Sequence, residues 1–452
     1  MSELDEELVN TVTELIQNNR ITSATDRLKS LHPSDIADII TQLPASQSWR
    51  VLERLPERAE VFAYFEPEQQ IRLATELPRL SLARLMNEMS ADERTDLFKR
   101  FSRGVRESLL QALALDEQED IRILASHMEG TAGAIMTTEL VILRKAMTVA
   151  RAMAMLRKEA PEAETIYHAY VVDLNRKLIG VVSLRELLIA DPEARIADLM
   201  ISEVVSAKVT DKQEEIARTI ARYDLLALPI TDDEGTLLGI VTYDDAMDVV
   251  NEEVEDDFHK SAGMGTVTGS FKEASIYLLY RKRVFWLVFL VFGNLFSSAG
   301  IAHFEDIIAS NLVLVFFLPL LVGSGGNAGS QSSTLMVRAI ATGDVEVKDW
   351  LQLIGRETLV ALALGGTMGA AVASLGYWRG GSEIAIVVCL SMVSIVLVGC
   401  LVGLSLPFVL DRLGFDPAGA SAPLVTSICD ATGVVLYLFI ASQLLVGVGA
   451  GT

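Results

Sequence analysis

Five apolar runs, each long enough to cross a hydrocarbon layer, fill the last part of the 452-residue chain: about 284–304, 307–337, 354–378, 384–410 and 420–448. The first 280 residues hold no such run and follow shorter periods. Between 31 and 102 the pairs Leu43-Pro44, Leu55-Pro56, Glu66-Pro67, Leu77-Pro78 and Met89-Ser90 recur every eleven or twelve residues. Proline favours the first helical position, and that interval holds about three turns. The pattern predicts short helices stacked into a right-angled superhelix, then one longer helix through about 105–127.

From 130 the pattern changes and then repeats. "HAYVVDLNRKLIGVVSLRELL" (168–188) reads strand, turn, strand, helix, and "LLALPITDDEGTLLGIVTYDDAMDVV" (225–250) repeats that order. Each copy is preceded by a helical segment, 146–159 and 212–223. The duplication resembles a tandem pair of CBS modules, about 130–195 and 196–250. Such pairs commonly bind adenine nucleotides or regulate an attached channel. The second copy runs into "DDAMDVVNEEVEDDFHKSAGM" (244–264), a helix whose clustered carboxylates repel one another. Because it joins a regulatory module to the apolar part, its acidity is read as a cation sensor rather than a solvated face.

Charge divides the chain in the same place. Residues 1–280 hold fifty acidic and thirty basic residues, a net −20, whereas 281–452 hold ten and eight, a net −2. An acidic excess argues against nucleic acid and against docking on anionic lipid, and favours cations. Cys389, Cys400 and Cys429 lie in apolar runs without C-x-x-C spacing, which argues against disulfides and zinc. The acidic start, "MSELDEELVN", is no signal peptide, so the N-terminus is expected in the cytoplasm. Five spans then place the C-terminus outside. The basic residues agree: Arg281, Lys282, Arg283, Arg338, Lys348, Arg356 and Arg412 fall on the cytoplasmic flanks and Arg379 alone on the outer ones.

Two features of the apolar part are not those of lipid anchors. Asp430 follows thirteen uncharged residues and precedes twenty-two. A carboxylate there costs roughly 2.5–3.5 kcal/mol on insertion scales, which is tolerable if it faces water and a cation. "LPLLVGSGGNAGSQSSTLM" (318–336) puts Pro319, four glycines and a series of polar side chains at membrane depth. Such backbone persists only when buried in protein or lining a watery cavity, and a pore lining is the expectation.

The order of parts resembles the MgtE-type magnesium channels. It consists of an acidic α-helical superhelical N-domain (1–129), an α/β tandem CBS pair (130–250), an acidic connecting or plug helix with its linker (244–280), and an all-α polytopic pore domain of five transmembrane helices (281–452). "GGNAGSQSSTL", "RAIATGDV" and "FDPAGASAPLVTSICDATG" carry the resemblance. It implies a homodimer in the cell inner membrane that takes up Mg2+ and is gated by cytoplasmic Mg2+, with no nucleic-acid partner. It places Asp430 at the pore ion site and a loop containing Asn327 on the same path, with Gly325, Gly326, Ser330, Thr334, Ser421 and Ala422 beside them. By local match it places Mg2+ sensing at Glu60, Asp92, Asp96, Glu214, Asp224, Asp245, Asp248, Glu253, Asp256, Asp257 and Asp416. Asp92 and Asp96 are four residues apart on one helix, a spacing that lets both face one ion. ATP binds some members at the CBS pair. Here Arg185 and Glu186 stand where that site would start, with Val205 where a polar base contact is expected. The rivals are a proton- or ion-coupled divalent-cation carrier and a CBS-regulated membrane sensor without transport. No nucleophile–base or phosphate-loop constellation appears, so the chain is not expected to be an enzyme.

Overall fold

A computed structural model describes residues 3–161, 163–263, 275–342, 344–345 and 347–445. Most of the linker, 264–274, and the last residues of the final apolar run, 446–448, lie outside the described residues. The chain forms two compact units, Met1–Glu253 and Val254–Thr452.

The N-terminal unit begins with ten helices between Glu3 and Leu124. From Pro33 to Leu115 most of them start about twelve residues apart, as the dipeptide repeat predicts. Pro33 and Pro67 take the first helical position, while Pro44 and Pro78 sit one residue earlier in extended backbone. Leu28, Ile40, Leu52, Phe62, Leu85, Met86 and Leu97 close the core between them. The longer helix expected through 105–127 is not formed. Ser102 and Ala114 are both extended, and the segment becomes two more short helices, Arg103–Leu110 and Leu115–Leu124. The repeat goes on there without proline to mark it, and Leu109, Leu113 and Ile121 join the same core.

Two three-stranded sheets follow. In the first, β1 (Ile142–Arg144) pairs parallel with β2 (His168–Val172), which pairs antiparallel with β3 (Leu178–Ser183). In the second, β4 (Ala207–Lys208), β5 (Ala227–Thr231) and β6 (Leu237–Thr242) repeat that order. The helix after each hairpin is capped in the same way. Ser183 and Glu186 form a capping box, and Thr242 Oγ1 donates to Asp245 at 2.5 Å. The second of these helices is the connecting helix, Tyr243–Ser261.

The C-terminal unit contains four helices long and apolar enough to cross a membrane: Ile276–His303, Val313–Ala341, Trp350–Arg412 and Ala422–Leu445. The 63-residue third helix is broken at Gly381 (φ 79°). Its halves pack on each other, because a Cβ at Gly365 would lie 2.9 Å from Val393 Cα and one at Gly376 2.9 Å from Ala385 Cα. This helix is therefore an antiparallel hairpin folded at Gly381.

The segment 318–336, expected to contain a loop at Asn327, is helical throughout within Val313–Ala341. Its glycines serve close packing instead of a turn. A Cβ at Gly399 would lie 2.6 Å from the Gly325 carbonyl, and one at Gly403 would run into that of Gly329. Backbone contact of this kind between small residues holds membrane helices together.

Candidate functional site

The final helix, Ala422–Leu445, runs antiparallel to the glycine-rich helix, Val313–Ala341, and one seam between them is polar. Ser333 Oγ donates to the Ala420 carbonyl at 2.9 Å. One turn away, Ser330 Oγ lies 3.3 Å from the Ala422 carbonyl and 3.1 Å from Thr426 Oγ1. A further turn along is Gly326, where a Cβ would come 2.9 Å from Thr426 Cγ2 and 3.5 Å from Asp430 Oδ1. Gly326 thus lets the two helices approach closely beside the carboxylate. Asp430 is half-buried and takes part in no ion pair among the described residues.

Of the residues expected along a path, Asp430, Gly326, Ser330 and Ala422 meet on this seam. Gly325 instead faces Ile395 and Gly399 on the hairpin. Asn327 is exposed, and so is Thr334, whose hydroxyl turns back to the Ser330 carbonyl at 2.9 Å. Ser421 is buried, with its Oγ hydrogen-bonded to nothing. Thr426 and Ser333 were missed. Thr426 precedes Asp430 by one helical turn in "PLVTSICD", a spacing that could have revealed it.

A second constellation lies at the end of this unit where the connecting helix meets the turn before the final helix. Lys260, in the last turn of the connecting helix, ion-pairs with Asp256 and, at 2.5 Å, with Asp416. Asp416 also accepts from the Ala418 amide at 2.8 Å, so it caps the turn that leads into the final helix. Gly263 (φ 69°) packs there, its Cβ direction 3.3 Å from Pro423 and 3.4 Å from Ser421 Oγ. Asp256 and Asp416 are thus brought together, with an ammonium between them. Asp257 is half-buried on the same turn of helix.

The third constellation lies within the N-terminal unit, where the helical repeat meets the CBS pair. Asp92, Glu93, Glu139 and Asp245 are half-buried, Glu164 stands exposed beside them, and their fields overlap. Burial pushes Glu93 up to about 8, and Asp92 and Glu164 add to it. Burial and then Asp92 raise Asp245 to about 8 against the hydrogen bond from Thr242. Glu139 and Glu164 are pushed to about 7, again chiefly by burial. Asp92 is itself raised by burial, and its Oδ1 is buried without a hydrogen bond. Arg94 is the cation nearby. It donates to the Met86 and Met89 carbonyls at 2.8 and 2.7 Å and reaches Asp120 and Glu139 only at 3.8 and 3.6 Å.

Glu93, Glu139 and Glu164 were not foreseen as members, because only tertiary folding brings 92–93, 139, 164 and 245 together. Asp96 shares the helix of Asp92 but is engaged by Lys99 at 3.2 Å. Asp248 is raised by burial and by Asp244. Glu60 is exposed but its charge reaches Glu93. Glu214 Oε2 is buried and unpartnered, Asp224 caps its helix in left-handed backbone (φ 51°), and Glu253 is half-buried.

The oxygens of this cluster are of the type a divalent cation takes. The cluster offers hard carboxylate oxygens, one of them buried and unsatisfied, in surroundings that penalise the unneutralised charge. Among the described residues no three of His, Cys, Asp and Glu form a complete ligand set. Magnesium keeps several of its waters and commonly takes one or two carboxylates.

For nucleotide, Glu186 is committed to the cap of its helix, Arg185 is exposed, and Val205 packs into the core of the second CBS module. A separate cavity of about 250 Å³ opens between the modules, lined by Leu178, Ser202, Val204, Ser206, Lys208 and Thr231 among others.

Comparison with known proteins covers every part of the chain. A profile described as divalent cation transporter matches 318–440, one described as MgtE intracellular N domain matches 31–130, and the CBS domain profile matches 132–193 and 196–252. The magnesium transporter MgtE of Thermus thermophilus is 37% identical over 447 residues, covering 98% of this chain and 99% of its own. That of Bacillus subtilis is 31% identical, covering 97% and 98%. A crystal structure of the cytosolic domain of the Mg2+ channel MgtE in complex with ATP is 36% identical. It covers 53% of this chain and 99% of its own, with a TM-score of 0.51. The soluble part of a magnesium transporter is 34% identical, covering 55% and 99%, with a TM-score of 0.52.

Proposed function

The chain belongs to the MgtE family, and from that premise we propose that it is a magnesium-selective channel of the cell inner membrane, closed by cytoplasmic Mg2+. The relatives' transport of magnesium supports the substrate. The observation that carries the pathway is the seam of Gly326, Ser330, Thr426 and Asp430, a carboxylate at membrane depth with hydroxyls and a glycine along the same seam. Magnesium dehydrates reluctantly, so such a lining serves a hydrated ion: the carboxylate supplies charge while hydroxyls and carbonyls receive hydrogen bonds from its waters. Asn327, Thr334 and Ser421 complete the proposed path, with Gly325 holding the helix that carries it. With the helix folded at Gly381 counted as two, the proposed topology has five crossings, N-terminus inside and C-terminus outside. A second copy of the chain would supply the facing Asp430.

Regulation is assigned to the acidic clusters. We divide the chain functionally at about 129, 250 and 280, into N-domain, CBS pair, connecting segment and pore. At low Mg2+ the crowded carboxylates Asp92, Glu93, Glu139, Glu164 and Asp245 repel one another. A close like-charge pair costs about 4 kcal/mol at ~4 Å and an effective dielectric of about 20. A cation there relieves the repulsion and favours the compact arrangement. Glu60, Asp96, Glu214, Asp224, Asp248 and Glu253 are assigned to the same control by resemblance. Asp256, Asp257 and Asp416 form the site nearest the pore, where Lys260 occupies the bridging position. ATP at the CBS pair is supported by the ATP-bound relative, although Glu186 and Val205 are otherwise engaged here.

Single-channel recording in liposomes tests this. The reading expects Mg2+ current at fixed pH without a counter-ion, falling as cytoplasmic Mg2+ rises into the millimolar range. Transport that requires a pH gradient and stays at carrier turnover would replace it with the coupled carrier.

A further inference from the structure

Glu357 is a second carboxylate in the C-terminal unit that packs between helices, at the edge of an uncharged run, and the transport path does not include it. It lies in the first half of the hairpin helix, where 358–378 is uncharged. Ser332 Oγ donates to its Oε1 at 2.5 Å, a length typical of a hydroxyl bound to a carboxylate. The thiol of Cys400, itself buried, lies within hydrogen-bonding reach of both Ser332 and Glu357. Glu357 takes part in no ion pair among the described residues. A glutamate at the edge of an apolar run is ordinarily solvated, but this one is half-buried between helices and bound by a hydroxyl, with a thiol close by. A carboxylate so placed is costly enough to call for a role.

The side of the glycine-rich helix that Glu357 grips indicates the role. Gly326, Ser330 and Ser333 face the final helix, Gly325, Ser332 and Met336 face the hairpin, and Gly329 lies between the two. Glu357 therefore holds the helix from behind the polar seam. That helix is intrinsically weak. Each glycine costs about 1 kcal/mol relative to alanine in a helix interior, and Pro319 removes a backbone hydrogen bond. A turn of one residue position, about 100°, would carry Ser330 away from Thr426.

We propose that Glu357 is a positioning residue for the transport path: by accepting the hydrogen bond of Ser332 it fixes the rotation of the glycine-rich helix that sets Gly326 and Ser330 against Asp430 and Thr426. This rests on the pathway reading above, so the test includes Asp430→Asn.

Full-length protein in proteoliposomes is assayed for Mg2+ flux against Mg2+ concentration, with Ca2+ as competitor. Glu357→Leu and Ser332→Ala each raise the half-saturating Mg2+ about fivefold or more and weaken discrimination against Ca2+, with thermal unfolding unchanged. Glu357→Gln, whose amide oxygen still accepts from Ser332, stays within about twofold of the parent. The double variant Glu357→Leu/Ser332→Ala is no worse than Glu357→Leu alone. If Glu357→Leu does not fold, Ser332→Ala and Glu357→Gln carry the same expectations.

Parent-like half-saturation and selectivity in folded Ser332→Ala or Glu357→Leu overturn the positioning role. Failure of Glu357→Gln as severe as that of Glu357→Leu also overturns it, because the charge itself would then be what matters. Normal flux from Asp430→Asn refutes the pathway reading instead.

Discussion

In the N-terminal unit Asp92, Glu93, Glu139 and Asp245 crowd one another in half-buried positions, with Glu164 exposed beside them. In the C-terminal unit Asp430 has hydroxyls and a glycine for neighbours. The crowded set stores repulsion, and under the proposed function its arrangement depends on whether a cation is present. Asp430 stores little of this kind within the chain, because its neighbours are neutral. A sensor must differ in energy with and without its ion, since an ion shifts an equilibrium only by its difference in affinity. A path must bind weakly enough to release. The number and spacing of carboxylates, rather than residue type, separates the two uses.

The comparison breaks most sharply at Asp430. Asp430→Asn keeps the shape and removes the charge, and Mg2+ flux into proteoliposomes is expected to fall by about two orders of magnitude or more with the fold intact. Normal flux would leave the carboxylate without a role in passage.

Replacing Asp245, Asp248, Asp256 and Asp257 together by Ala addresses the other side. The current is expected to lose its response to cytoplasmic Mg2+ and to flow at millimolar concentrations where the parent is shut. A variant closed at every concentration would still have lost regulation. Inhibition like the parent's would return the acidity to a solvated face.

Protons should act on the crowded set as a weaker cation. Glu93 and Asp245 near 8 and Glu139 and Glu164 near 7 are raised above the ordinary carboxylate range. Their ionised forms destabilise the folded unit above pH 8. That cost is relieved as the pH falls through 8 to 7 and is fully absent below the ordinary values near 4–4.5. Without Mg2+, the unfolding temperature of the N-terminal unit in the full chain is expected to rise by about 5 °C from pH 8.5 to 6. Millimolar Mg2+ should flatten that slope. A slope of the opposite sign, read by scanning calorimetry, would mean the carboxylates are already compensated.

The smallest effect is expected at Asp96, which is paired with Lys99 towards solvent. Asp96→Asn should move the Mg2+ for half-inhibition by about twofold or less, in keeping with the small value of exposed pairs. Asp92→Asn, at the centre of the cluster, should move it several-fold. Equal shifts would restore the reading in which both carboxylates face one ion.

What the chain determined by itself was everything set by local period and composition. The twelve-residue recurrence specified the short helices, because a proline or an extended residue at each interval separates one helix from the next. The duplicated hairpins specified the two sheets, and the uncharged runs marked the apolar helices. Asp430 was legible because a charge in such a run is conspicuous.

Tertiary structure decided what depends on partners far along the chain. The segment 318–336 stays helical although its composition suggests a break, because the carbonyls of Gly325 and Gly329 lie against Gly399 and Gly403. Asp92 gained Glu93, Glu139, Glu164 and Asp245 as neighbours, and Asp96 was drawn off by Lys99. Ser332 found Glu357 across a gap of 25 residues, and Lys260 found Asp416 across 156. Such neighbours leave no periodic trace: each is fixed by how separate helices pack, and a single sequence carries no signal of that packing.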